Sequence, residues 1–206
     1  MSSIIKVDTI DEKTPASGVT IDGVTLKDSK IGGTITIPGS TGTMALTSDI
    51  SAGGLTEADL WFLTASTASS GDLTSNLARN TGTLLSYKGT GMTESSGVFS
   101  FPSTGYWLVM AKAYLSSPSS GVGSAILYTV ATNDNFTSED RIGINRIYQS
   151  SDNNYTTTFG QVIIDVTDIS NDKIKFEFLK SGDGQIQGTT DPGTSSNFSF
   201  LKLGDT

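Results

Sequence analysis

The sequence predicts an all-β protein: an antiparallel sandwich of two sheets, preceded by an extended arm of much shorter strands. Three observations point there. Gly, Ser and Thr are abundant while helix-forming stretches are few, a composition that favours strands joined by many turns. Apolar and polar residues alternate over short windows, the period of a strand with one covered face. The spacing of that alternation then changes near position 55, from very short pieces to longer runs.

Residues 1–55 read as the arm. Val19 and Ile21, Val24 and Leu26, then Ile35 and Ile37 alternate between glycines, with Gly23, Gly32 and Gly33 marking the turns. β-Branched residues fill these pieces, yet each is shorter than an ordinary strand. Their apolar area is too small to offset the entropy of ordering them in a lone chain. Three chains winding together solve this, because each short strand then meets its equivalents, which makes Val19, Ile21, Val24 and Leu26 expected interface residues. The alternative is a disordered Gly/Thr-rich tail. Gly53-Gly54, flanked by Asp49 and Glu57, marks the junction.

Residues 56–206 read as the head. Strands are expected near 60–65, 83–88, 97–101, 105–115, 124–132, 141–149, 156–166, 173–180 and 197–203, a number that suits two packed sheets. In 173–179, Ile174, Phe176 and Phe178 face one way, and Lys173, Lys175 and Glu177 the other. Strand 105–115 differs. Trp107, Val109, Ala111 and Ala113 form one face, while Tyr106, Leu108, Met110 and Tyr114 form the second, interrupted only by Lys112, whose stem can still lie along apolar surface. A strand apolar on both sides needs two covers, and in a two-layer sandwich the second can come from another subunit. Tyr106, Leu108, Met110 and Tyr114 are therefore the expected interface of the head. The competing reading has the strand covered by its own loops.

Composition excludes several classes of function. The chain has 206 residues with no cysteine and no histidine. Disulfides, Cys/His zinc sites and Ser-His-Asp or Cys-His catalysis are thereby removed, and a shared oligomeric core is one substitute for disulfides. With 13 basic and 21 acidic side chains, net charge −8, the balance opposes nucleic-acid binding. No apolar run approaches a membrane span, and the first residues lack the pattern of a signal peptide. The expectation is a soluble protein made in a cytoplasm, whose sequons at Asn135, Asn154 and Asn197 are chance.

Certain runs resemble known families. Gly97-Val98-Phe99-Ser100-Phe101-Pro102-Ser103-Thr104-Gly105-Tyr106-Trp107, following Gly91 to Ser96, looks like a module of marine phage structural proteins. Its Phe-x-Phe-Pro-x-x-Gly-Tyr kernel is similar to the globular heads of complement and tumour-necrosis-factor relatives. Asp165-Val166-Thr167-Asp168, and the closing Asn197 to Asp205 run, fit the same head. The resemblance covers roughly 60–206 and implies a jelly roll that assembles as a homotrimer. Ile4-Ile5-Lys6-Val7-Asp8-Thr9-Ile10, Gly18 to Val24 and Gly42 to Ile50 are similar to the starts and linkers of phage fibre proteins. They imply a protein exposed on the virion, bound to other virion proteins through its arm, its head meeting a host-surface glycan or protein. The stretch between anchor and head is only about 30 residues. A short fibre or spike fits that length, as does a capsid decoration or head fibre with no receptor.

Site chemistry is sparse. Phe136 in Asn133-Asp134-Asn135-Phe136, and Asn153 and Tyr155 in the Asp152 to Tyr155 run, are the candidate receptor contacts, since sugar sites pair aromatic faces with Asn and Asp. Asp165, Asp168, Asp172 and Asp183 carry oxygens that calcium takes, but Asp also favours turns for backbone reasons, so no metal is assigned. Glu139, Asp140 and Glu94 lack the fixed separation of a glycosidase pair. The glycine-bearing loops 89–97 and 182–188 lack the Lys-Ser/Thr of a phosphate loop. No catalytic residue and no cofactor are expected.

Overall fold

The structure, a computed structural model, describes residues 54–82, 87–117, 123–149 and 154–206, and the backbone of three short strands before them. The chain divides into two units, Met1–Gly53 and Gly54–Thr206. In the first, β1 (Val19–Ile21), β2 (Val24–Lys27) and β3 (Lys30–Gly32) form an antiparallel meander. Val19 stands opposite Leu26, Ile21 opposite Val24, and Leu26 opposite Ile31. One expectation changes. Gly32 ends a strand opposite Thr25 instead of marking a turn. The described ladder pairs β1, β2 and β3 in chain order. Ile35, Ile37 and the side chains of Val19, Ile21, Val24 and Leu26 lie outside the described residues.

The second unit is a sandwich of two six-stranded antiparallel sheets. Its strands are β4 (Ala58–Leu63), β5 (Gly71–Asp72), β6 (Leu77–Arg79), β7 (Thr93–Ser95), β8 (Val98–Ser100), β9 (Gly105–Ser117), β10 (Gly123–Thr132), β11 (Asp140–Gln149), β12 (Asn154–Val166), β13 (Lys173–Ser181), β14 (Gln185–Ile186) and β15 (Asn197–Gly204). The first sheet runs β11-β10-β13-β8-β7 with β5 beside β13; the second runs β12-β9-β15-β4-β6 with β14 beside β9. The chain stays in one sheet only from β7 to β8, β10 to β11 and β14 to β15 and crosses between the sheets at every other connection, which makes the unit a jelly roll. The long expected strands lie where alternation put them. Strand 83–88 reduces to a bridge between Lys88 and Ala58, with 83–86 outside the described residues. β5, β6, β7 and β14 were not expected, being too short to carry a period.

The core is the alternation of β9, β13 and β15 turned inward. Trp107, Val109, Ala111, Ala113 and Leu115 of β9 are buried, as are Ile174, Phe176, Phe178, Phe198 and Phe200. Phe176 of one sheet stacks on Phe198 of the other with centroids 4.1 Å apart, and Phe99 meets Phe176 edge-on at 5.8 Å. Each such ring contributes about 1.5–3 kcal/mol by leaving water, and aromatic contacts add about 0.5–1.5 kcal/mol beyond that.

A buried ionic clasp ties the segment before β7 to β4. Asp59 accepts from Trp61 Nε1 at 2.9 Å, from the Met92 amide at 2.7 Å and from Arg79 Nε at 3.1 Å. Arg79 lies between the Trp61 and Tyr87 rings, 5.0 and 4.6 Å from their centroids, and its Nη2 donates to the Met92 carbonyl. Removing one partner of such a group strands the others in low dielectric. Asp59→Ala is therefore expected to lower stability by about 3 kcal/mol in urea denaturation followed by tryptophan fluorescence. A loss near zero would mean that water replaces the carboxylate freely.

Candidate functional site

The apolar surface that the core leaves over is concentrated on the outer face of the second sheet. Because partners in register share a face, the ladder assembles it residue by residue. Leu108 of β9 stands opposite Ile163 of β12 and Leu201 of β15. Met110 stands opposite Gln161 and Ser199, and Lys112 opposite Phe159. Tyr106, at the start of β9, faces Asp165. Phe159, Ile163 and Tyr106 keep 61%, 65% and 45% of their surface exposed, while Leu108, Met110 and Tyr114 are half-buried by their neighbours alone. Lys112 does not break the patch, because its Nζ turns aside to the Gly193 carbonyl at 3.2 Å.

All four head residues expected at an interface thus lie on one face, and no loop among the described residues closes over Phe159 or Ile163. Sequence reasoning missed those two and Leu201. In β12, Tyr155, Thr157, Phe159, Gln161, Ile163 and Asp165 alternate with Thr158, Gly160, Val162 and Ile164. The period was readable, but neither half is apolar enough to say which one points inward. The register to β9 decides it.

The proposed receptor contacts fare differently. Tyr155 was expected in a loop but lies inside β12, stacked on Tyr114 with centroids 5.4 Å apart. The strand begins earlier than alternation showed, because Asn154 and Tyr155 continue the ladder opposite Ser117 and Ser116. Phe136 does sit in the β10–β11 connection, half-buried, in the left-handed conformation (φ 63°). Its ring lies under Lys175 Nζ, 4.8 Å from the centroid. The two aromatics are not brought together. β12 carries Tyr155 at one end and Asp165 at the other, roughly 30 Å along an extended strand, and Asp165 shares a cleft with Thr132 and Asn133 beside Phe136. Asn153 lies outside the described residues.

The acidic side chains hold turns. Asp172 accepts from the Thr167 and Asp168 amides at 2.7 and 2.8 Å, and Asp168 from the Ser170 amide at 2.8 Å. Glu94 accepts from the Gly97 amide at 2.6 Å, and Glu139 pairs with Lys175 at 2.5 Å. Among the described residues no three such groups converge in a way that could hold a metal ion. Asp134 organises the Phe136 loop, accepting from the Ser138 hydroxyl at 2.6 Å, the Ser138 amide at 2.9 Å and Thr132 Oγ1 at 2.7 Å.

No family model matches the chain, and no curated protein sequence is similar to it. Solved structures share the fold. The tumour-necrosis-factor protein Eiger from S. frugiperda superimposes with a TM-score of 0.54 at 15% identity, covering 74% of this chain and 96% of its own. Murine APRIL gives 0.45 at 13% identity, covering 71% and 98%. The head is a jelly roll of the tumour-necrosis-factor type.

The Asp134 turn carries a pH prediction. Hydrogen bonds from Ser138, then Thr132, hold its carboxyl down from 3.8 to about 2. A folded value below the unfolded one means that the stabilisation is complete above pH 4 and fades as pH falls towards 2. The melting temperature of Asp134→Ala should lie below that of the parent at pH 6, and the gap should shrink on acidification to pH 2. A gap constant over that range would contradict the assignment.

Proposed function

We propose that the chain is a non-catalytic structural protein of a bacteriophage particle: a homotrimer forming a short fibre or spike, whose head projects and binds the host surface. The observation that carries self-assembly is the outer face of the second sheet, where Leu108, Met110, Phe159, Ile163 and Leu201 form one apolar surface in register. An exposed patch of this kind on a soluble protein is an interaction site or an aggregation liability. Covering it with copies of itself turns the β9 strand into a two-sided core element. The resemblance of the N-terminal runs to phage fibre linkers supports the particle assignment, with the arm holding other virion proteins and the host-surface ligand being a glycan or protein.

A second reading, a capsid decoration or head-fibre protein with no receptor, is favoured by one specific observation. The loop bearing Phe136 is bound up in its own hydrogen bonds, and its ring already carries Lys175. Such a loop is built for local rigidity.

Immunogold labelling of whole particles separates the two readings. Label at the tail, with labelled head adhering to host cells, supports the spike, whereas label over the capsid with no adherence supports decoration. Self-assembly has its own test. Light scattering at micromolar concentration is expected to give three chains per particle, and Phe159→Glu with Ile163→Glu, placing charges in the patch, is expected to give monomers of unchanged circular dichroism. A parent protein that runs as a monomer would overturn the assembly.

A further inference from the structure

We propose that the outer face of the first sheet, where β11, β10 and β13 lie side by side, binds a sugar bearing a carboxylate. This rests on reading the head as the part that meets a host-surface glycan, and it names the sugar's chemistry and the residues that hold it. The ladder builds the face in rows. Ile144 stands opposite Tyr128 and then Glu177, Arg146 opposite Ile126 and then Leu179, and Tyr148 opposite Ser124 and then Ser181. β11 turns Asn145 inward, where it is buried, and leaves Ile144 and Tyr148 outside, 54% and 72% exposed. Apolar groups left out of the core in this way mark a contact surface. The face lies on the opposite side of the sandwich from Phe159 and Ile163, so copies that cover those two residues leave it open.

One end of the face is already complete. Arg141 pairs with Glu177 at 2.7 Å and lies over the Tyr128 ring, 4.5 Å from its centroid. Lys175 pairs with Glu139 at 2.5 Å and with Asp72 at 2.9 Å, and covers the Phe136 ring. At the other end neither the Arg146 guanidinium nor the Tyr148 side chain has a partner among the described residues. The exposed Ser124 and Ser181 hydroxyls, 3.0 Å apart, complete that corner. Arg146 and Tyr148 are alternate residues of one strand, about 7 Å apart, and Ser124 is one strand over, about 5 Å from Tyr148. A single pyranose ring covers such a corner, and each group answers a different part of an acidic sugar. The guanidinium takes a carboxylate through two parallel hydrogen bonds, the tyrosine ring lies against an apolar ring face, and the serines meet hydroxyls. A simple anion would use Arg146 alone, and a neutral sugar would leave that cation unanswered on a face where Arg141 and Lys175 are both paired. A trimer presents the corner three times, which raises the avidity of a site that is weak for one sugar.

The test uses the full chain with isoleucine methyls labelled. It is titrated with methyl glucuronide, methyl glucoside and acetate, and with a blocked tetrapeptide carrying a central glutamate. Methyl glucuronide should shift the Ile144 and Ile126 methyl signals and bind about fivefold tighter than the other three. Arg146→Gln should lower glucuronide affinity to that of the glucoside and leave glucoside binding unchanged, which shows the face intact. Tyr148→Ala should weaken both sugars and leave acetate unchanged. Acetate or the peptide binding as tightly as glucuronide, a preference for glucuronide that survives Arg146→Gln, or an absence of shifts at Ile144 and Ile126 would each overturn the proposal. Adherence of the labelled head to host cells is scored separately. A head that adheres but ignores glucuronide fails this inference alone, whereas one that takes glucuronide but does not adhere fails the host-surface reading alone.

Discussion

The whole head depends on β9 and its two apolar faces. Its inward side, Trp107 to Leu115, is the centre of the core; Phe176 and Phe99 close over it from the other sheet, and Phe176 stacks on Phe198 of the neighbouring β15. Its outward side is just as apolar in Tyr106, Leu108, Met110 and Tyr114, yet a two-layer sandwich has only one interior. The imbalance is inherited by β12 and β15, because the ladder sets Ile163 and Leu201 beside Leu108. A single strand pattern thus produces both the stability of the head and the surface it leaves unfinished.

The two lateral edges of the sandwich are unlike. On one side the sheets end in β7 and β6, strands of three residues each, which offer little backbone to pair with. On the other they end in β11 and β12, ten and thirteen residues long, bearing Ile142, Ile144, Phe159 and Ile163 with substantial exposure. Natural sheets usually shield long edges with charge, proline or a covering segment. Here the long edges, the apolar face and the acidic cleft are contiguous through Ile163 and Asp165. Exposed apolar and acidic surface is gathered on one side of the head, while the Asp59 clasp and the short strands secure the other.

The acidic excess finds its explanation in turns. Glu57, Asp59, Glu94, Asp134, Asp168 and Asp172 each accept backbone amide hydrogens. A carboxylate holding an amide satisfies a donor that a turn would otherwise leave unpaired. Half of the described carboxylates are committed to backbone amides, and Asp72, Glu139, Glu177 and Asp205 are held in ion pairs, so the described carboxylates with neither stand out against them. Asp140 and Asp165 are two of these.

Read alone, the sequence was enough to determine the β class, the long strands and the inward halves of β9 and β13, because a period of two is a local property and buried rings mark its apolar phase. It also determined that β9 has a second apolar face. Tertiary structure decided what lies beside what. The register to β9 turned Phe159 and Ile163 outward, drew Tyr155 from a loop into a strand, and paired the short N-terminal strands in chain order. It set Lys175 over Phe136 and brought Asp140 and Asp165 to one cleft. The reason is physical: alternation tells how a strand divides its side chains between two faces, but only hydrogen-bonded register, fixed by partners distant in the chain, tells which face meets the core and which meets something else.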